Sequence, residues 1–192
     1  KFSSWTANAL YNRYLVNKSE DMLIDKNNSE NELNPTKLEA DGMMYIQTNQ
    51  WLLAYSAFVH LYKNSKDKSV ALLYNMALCH YSAKEYSKAI AMLGEAQMKI
   101  ATPSALQNNT NLLPDNLLTD EYDNRFYRLA LNETAIALTN SIIKLRIRRL
   151  LVDLNLELEN WQEITRLSAL PDMEKCKNVQ EALAIAKSKT NT

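Results

Sequence analysis

The sequence contains few of the residues that end helices or carry catalytic chemistry. Its 192 residues include two glycines, four prolines, two cysteines and two histidines. So little glycine and proline indicates long uninterrupted helices and argues against a β-rich fold. Two cysteines are too few for a disulfide scaffold, and His60, Cys79 and His80 lack the spacing of metal ligands. Without a glycine-rich phosphate loop or a nucleophile-elbow serine, we expect no enzyme, no cofactor and no metal site.

The sequence also lacks an excess of charge of either sign. Lysine and arginine total 22, and so do aspartate and glutamate. A balanced chain has no net field to steer it to nucleic acid or to an anionic bilayer. No run of 18 apolar residues is present, so we predict no transmembrane segment. We expect a cytoplasmic protein, and the start at Lys1 leaves an anchored or exported form open.

What the sequence does contain is a pattern of bulky and small side chains that occurs twice, 35 residues apart. Each copy has spacings of three and four residues on either side of a polar break, which predicts two amphipathic helices joined by a turn. Small residues such as Gly42 and Ala54 would let the paired helices approach closely. The first copy is Leu38, Gly42, Tyr45, Trp51, Ala54, Phe58 and Leu61, and the second is Leu73, Ala77, His80, Tyr86, Ala89, Leu93 and Ala96.

Residues 35–103 resemble the tetratricopeptide repeat family, whose units are helix hairpins of similar length. The matching residues are Gly42, Tyr45, Ala54 and Phe58 in the first copy, Ala77, Ala89 and Ala96 in the second, and the closing Pro103. His80 and Leu93 replace the tyrosine and the aromatic residue that the family has there. The resemblance implies an all-α fold, a right-handed superhelical stack of antiparallel helix hairpins.

We expect one domain in four parts. Residues 1–34 would form a capping helix, at 4–25, and a polar linker; residues 35–103 form the two repeats, and 104–120 an insertion loop. Residues 121–192 would form a long helix, a divergent third hairpin and a C-terminal helix. In that hairpin Trp161 and Ile164 stand where Trp51 and Ala54 stand in the first repeat. No proline or glycine interrupts 121–158, so we predict one long helix, or two with a break near Asn132.

The resemblance also implies where a partner would bind, because the first helices of successive units line a concave groove in this family. Tyr74 and Tyr81 are the expected hot spots, since aromatic side chains dominate interfaces. Asn75 matches one residue of a carboxylate-binding site known in the family, but Glu39 would repel a carboxylate. Alternatively, the downstream helix folds back and fills the groove. The predicted groove residues are Glu39, Met43, Ile46, Gln47, Tyr74, Asn75, Leu78, Tyr81, Ser82, Arg146, Arg149 and Asp153.

These features favour a non-catalytic adaptor or scaffold that binds an extended peptide or an amphipathic helix of another protein. One alternative is a structural subunit, an oligomer or part of an envelope or secretion-related assembly, that uses its terminal helices. A weaker alternative is an RNA-contacting repeat that uses the basic cluster Lys144–Arg149. We expect instead that this cluster is a solvated helix face or is paired with the acidic residues Asp120 and Glu121.

Overall fold

The computed structural model describes residues 34–100 and 114–190, and all of their regular secondary structure is helical. The capping helix expected at 4–25, residues 101–103 at the end of the expected second repeat and residues 104–113 of the expected insertion lie outside the described residues. The α-helices are α1 (Pro35–Gln47), α2 (Trp51–Asn64), α3 (Val70–Ser82), α4 (Tyr86–Ile100), α5 (Asp115–Asp123), α6 (Glu133–Leu138), α7 (Asn140–Glu157), α8 (Trp161–Ser168) and α9 (Lys177–Thr190). Short 3₁₀ turns lie at Phe126–Arg128 and Met173–Lys175.

Three pairs of consecutive helices form hairpins, which we call hairpin 1 (α1 and α2), hairpin 2 (α3 and α4) and hairpin 3 (α7 and α8). In each hairpin the two helices pack on each other. Hairpins 1 and 2 also pack together through α2 and α3, and hairpins 2 and 3 through α4 and α7. The described residues therefore form an all-α structure rich in helix hairpins, in which α9 packs on α7 and α8.

The three hairpins turn with the same backbone geometry. One residue in each turn has a positive φ near 60°: 59° at Asn49, 59° at Lys84 and 55° at Glu159. The next amide N–H donates to a carbonyl five residues back, which satisfies an otherwise unpaired helix-end carbonyl. These bonds are Gln50 to Tyr45 at 2.8 Å, Glu85 to His80 at 2.9 Å and Asn160 to Asn155 at 2.9 Å. Hairpin 3 therefore repeats the turn of the two hairpins that the sequence shows clearly.

The small residues of the pattern lie at the helix contacts. Ala54 and Ala89 are fully buried, and so is Ile164 at the matching position of hairpin 3. At Gly42, an added Cβ would lie 2.8 Å from Cζ of the buried Phe58 ring. Close approach of α1 to α2 therefore depends on the absence of a side chain at residue 42.

Helix α3 is the most buried element, and every residue from Val70 to His80 is buried. It begins at Ser69, whose hydroxyl accepts the Leu72 N–H at 3.1 Å, a standard N-cap. Helices α2 and α4 pack on it, and α6 contacts it as well. Because neighbours surround α3 on several sides, its sequence is apolar on all faces instead of amphipathic.

Residues 104–158 differ in two ways from the expected loop and long helix. Helix α5 already begins at Asp115, after Pro114, so the region expected to be a loop is helical over 115–120. The helix expected over 121–158 is interrupted between Asp123 and Asn140. A 3₁₀ turn and the short α6 occupy that interval. Asn132 caps α6, as its sequence context predicts, and its side chain accepts the Ala135 N–H at 2.7 Å.

Candidate functional site

Side chains of α3 and α7 that the sequence places in the groove contact a segment of the same chain. We call this stretch, Phe126–Glu133, the crossing segment. It contains the 3₁₀ turn and then runs in extended conformation, with φ and ψ of −87° and 150° at Leu129 and −115° and 162° at Asn132. The 3₁₀ turn packs on α7, and α6, which follows, contacts α3.

Two adjacent side chains of α3 bind the main chain of the crossing segment. The Asn75 amide nitrogen donates to the Leu131 carbonyl at 2.8 Å, and its oxygen accepts the Leu131 N–H at 2.9 Å. The Tyr74 hydroxyl donates to the Tyr127 carbonyl. Both α3 side chains are completely buried. A buried amide with both of its ends paired avoids the cost of an unsatisfied polar group.

The crossing segment also places an acidic side chain at the start of α3. Glu133 Oε1 accepts the Ala71 N–H at 3.0 Å. A helix N-terminus has unpaired N–H groups and a partial positive charge, so a carboxylate is favourable there. Across from it on α1, the pKa of Glu39 is raised above its ordinary value of 4.5, first by burial and then by the charge of Glu133.

Asp153 of α7 is the centre of a polar network with the crossing segment. One carboxylate oxygen accepts from the Tyr127 hydroxyl at 2.8 Å and from Arg128 Nε at 3.2 Å, while the other accepts from Asn178 Nδ2 at 2.8 Å. Arg128 also donates to the Tyr81 hydroxyl at 2.9 Å. Burial, and then the charge of Asp153, raise the pKa of Tyr127 far above its ordinary range, so this phenol stays a donor.

Two arginines of the basic cluster on α7 are paired within the chain. Arg149 is 1% exposed, donates to Asn178 Oδ1 at 2.8 Å and to the Glu121 carbonyl, and lies 4.3 Å from the Tyr127 ring centroid. Arg146 donates to the Glu121 carboxylate, with Nε at 2.9 Å from Oε2. The predicted pairing of the cluster with the acidic region is therefore present at Glu121. These two guanidinium groups are engaged within the chain, and the other two members of the cluster, Lys144 and Arg148, are half-buried.

The predicted groove residues differ in accessibility. Tyr81, expected as an anchor for a partner, is half-buried, whereas the other expected anchor, Tyr74, is covered. The element that covers Tyr74, Asn75 and Asp153 is the short crossing segment, and not the downstream helix that the alternative expected. Buried residues are Ile46, Tyr74, Asn75, Leu78, Arg149 and Asp153; half-buried residues are Glu39, Met43, Tyr81, Ser82 and Arg146; Gln47 is exposed.

Several residues of this site carried no signal that sequence reasoning could use. Tyr127 and Arg128 lie where the sequence predicts a helix, and their partners are 25 or more residues away. Asn178 lies near the start of α9, and nothing in the sequence distinguishes it from the other polar residues there. Only Asn132 and Glu133 showed a local pattern, that of a helix start. That pattern predicted α6 but not the bond from Glu133 to α3.

A concavity of about 290 Å³ is lined by α5, Phe126, α6 and α7. Its walls are mostly apolar, with Leu117, Ile142 and Ile143, and the Arg146–Glu121 pair lies at one side. Among the described residues, no three histidine, cysteine or acidic side chains are grouped so that they could ligate a metal ion. None of the described helices combines the length and apolar character needed to cross a bilayer.

Comparison with known proteins gives no relative for this chain: no family model, curated protein or solved structure matches it.

Proposed function

We propose that the protein is a non-catalytic adaptor that binds a segment of another protein, built on tetratricopeptide-like hairpins in a right-handed stack. The repeated pattern of the first two hairpins and the common turn geometry of all three support the repeat architecture. The observation that carries the functional proposal is the pair of hydrogen bonds between Asn75 and the main chain of Leu131. Main-chain recognition combined with side-chain pockets is a general way to bind an extended polypeptide.

An external partner would first meet the accessible part of the predicted groove. Met43 and Gln47 of α1 and Tyr81 and Ser82 of α3 are at least partly exposed. Tyr81 offers an aromatic surface with its hydroxyl already paired to Arg128, which is a favourable arrangement for a contact residue. Tyr74 is unsuitable for a binding test, because truncating a fully buried tyrosine would destabilise the fold.

Selection from a random peptide library on the immobilised protein tests the adaptor function. We expect convergent peptides that contain apolar or aromatic residues, and weaker capture of these peptides by Met43→Ala and Tyr81→Ala. Met98→Ala is the matched control, because Met98 lies on α4 with 71% of its surface exposed. Absence of convergent peptides, or equal loss of binding in all three variants, would count against the adaptor function.

Exposed apolar side chains at one end of hairpin 1 favour a second candidate, a structural subunit that self-associates or joins an assembly. Leu52 is 60% exposed, and Leu53 and Met44 are each 46% exposed. All three lie near the turn between α1 and α2. Light scattering over a concentration series distinguishes the two functions. A stable oligomer that Leu52→Glu dissociates supports the structural role, and a monomer at all concentrations argues against self-association.

A further inference from the structure

The crossing segment contacts the hairpins in the way that a bound peptide contacts its receptor. It belongs to none of the three hairpins, and its residues 129–132 lie outside every helix. Asn75 and Tyr74 therefore take the place of secondary structure and satisfy its main chain at Leu131 and Tyr127. Because these bonds are made to main-chain atoms, they could also form with another polypeptide that binds in the same position.

Side chains of the crossing segment alternate between buried and accessible. Tyr127 and Leu131 are buried to within 2% of their surface, whereas Leu129 between them is 44% exposed. Buried anchors separated by accessible residues are characteristic of peptides bound in a groove. The two anchors define the spacing that the groove accepts, an aromatic residue followed four positions later by leucine.

The charged residues of the crossing segment also determine the direction in which a segment can bind. Arg128, next to the first anchor, pairs with Asp153, and Glu133, two residues after the second, binds the Ala71 N–H at the start of α3. A segment inserted in reverse would bring its acid towards Asp153 and its base towards the helix N-terminus. Both placements are unfavourable, so the groove selects orientation as well as spacing.

We infer that the crossing segment is a resident ligand, and that the partner is a polypeptide segment of the form Tyr-Arg-x-x-Leu-x-Glu that displaces it. This inference rests on the proposed adaptor function and names its partner chemistry. The resident segment acts as an intramolecular competitor, so the groove is open only in the fraction of molecules in which the segment has left. Apparent affinity for an external segment falls in proportion to that fraction.

A labelled synthetic peptide with the sequence of residues 126–133 tests the inference in the full chain. Arg128→Ala with Glu133→Ala loosens the resident segment and changes no residue of α3 or α7. We expect this variant to bind the peptide on the order of tenfold more tightly than the unmodified chain, since more of its grooves are open. A peptide of the same composition in scrambled order is the matched control. Asn75→Ala in the loosened chain should abolish the gain.

Hydrogen exchange supplies the second measurement. Peptide binding should accelerate exchange of the Leu131 amide of the protein, which Asn75 protects while the resident segment is in place. If the double variant fails to fold, Glu133→Ala alone replaces it, because Glu133 is exposed and only its bond to the Ala71 N–H is lost.

Equal binding of the ordered and scrambled peptides, or binding without faster Leu131 exchange, would overturn the resident-ligand inference. So would no binding by a folded loosened variant. If library peptides still bind through Met43 and Tyr81 in those cases, the adaptor function stands and only the partner chemistry is wrong. If no library peptide binds either, both proposals fail.

Discussion

The two glycines of the chain both lie inside helices, but their surroundings are opposite. A Cβ at residue 42 would lie 2.8 Å from the buried Phe58 ring, whereas a Cβ at residue 94 would meet no atom within 4 Å. Helix propensity alone favours alanine over glycine by about 0.5–1 kcal/mol at either position. The difference in packing should therefore decide whether each substitution to alanine raises or lowers the free energy of unfolding.

We expect Gly42→Ala to lower the free energy of unfolding by about 1–3 kcal/mol, because the methyl group overpacks the contact between α1 and α2. Gly94→Ala, the matched control, should raise it by about 0.5–1 kcal/mol. Urea denaturation of both variants measures the difference. If the two substitutions shift the midpoint in the same direction, the Phe58 ring yields and the close approach does not depend on residue 42.

Glu39 should make the stability of the protein depend on pH. Its folded pKa is raised above 4.5 by burial and by Glu133, so the folded state binds more protons than the unfolded state between those two values. Stability therefore falls as pH rises through this window, and at neutral pH the ionised Glu39 is unfavourable. At neutral pH we expect Glu39→Gln to stabilise the protein by less than about 1 kcal/mol, since solvent screens a partly exposed charge.

Denaturation midpoints of the Glu39→Gln variant and the unmodified chain, measured from acidic to neutral pH, check this expectation. The stability advantage of the variant should shrink as pH falls below the raised pKa. Asp67→Asn is the control. The hydrogen bond from Lys99 lowers the pKa of Asp67, so the ionised carboxylate is favourable in the folded state and its removal should destabilise the protein at neutral pH. A constant advantage of Glu39→Gln at every pH would show that the charge of Glu39 is not its cause.

At the scale of the helices and their connections, the hairpin turns carry non-glycine residues with positive φ. A side chain in this conformation costs energy, and asparagine tolerates it better than lysine or glutamate. We expect Lys84→Gly and Glu159→Gly each to stabilise the protein by up to about 1 kcal/mol, and Asn49→Gly to have a smaller effect.

Thermal unfolding of the three turn variants measures this order. Ala91→Gly is the control, because Ala91 is exposed within α4 and its backbone is helical. That substitution should destabilise by about 1 kcal/mol. If Lys84→Gly and Ala91→Gly destabilise alike, the positive φ at residue 84 stores no strain.

Hairpins 1 and 2 are predictable from the sequence because their stabilising contacts are periodic and local. Gly42, Ala54 and Ala89 recur at fixed distances from their turns, and the structure buries each of them. Hairpin 3 was predicted from Trp161 and Ile164 alone, since its other positions depart from the pattern. The crossing segment was not predictable, because its structure depends on partners such as Asn75 and Asp153 that are distant in the chain.

The sequence predicted that Tyr74, Asn75 and Asp153 lie on one surface, but not what covers that surface. Tyr74, Asn75 and Asp153 all contact the crossing segment, which shows that they share a surface. Their burial depends on long-range packing that a helical period does not encode. Arg149 was predicted to line the groove, but it is buried and paired with Asn178 and Glu121. This pairing also depends on long-range packing, because it requires α9 and α5 to be in place.

At the scale of the whole molecule, Asp153 connects three parts of the chain: α7, the crossing segment and α9. We expect Asp153→Ala to lower the free energy of unfolding by about 3–5 kcal/mol, because it leaves the charge of Arg128 and the Tyr127 hydroxyl without a buried acceptor. Asp67→Ala is the matched control, since that carboxylate is 90% exposed and pairs only on the surface. Its loss should lower the free energy of unfolding much less, because solvent screens that pair.

Calorimetry of these two aspartate variants measures the difference in stability. Near-ultraviolet circular dichroism should also change in Asp153→Ala, because the environment of Tyr127 is altered. If Asp153→Ala costs no more than Asp67→Ala, the network does not hold the crossing segment to α7.

The positions of the three turns show how the chain accommodates extra length. Lys84 follows Asn49 by 35 residues, but Glu159 follows Lys84 by 75, so 40 additional residues separate the second and third hairpins. Helices α4 and α7 nevertheless pack directly on each other. The described part of this interval, which comprises α5, the crossing segment and α6, belongs to none of the three hairpins. Shortening or exchanging it would alter what covers α3 and α7, while the contact between α4 and α7 keeps its own residues.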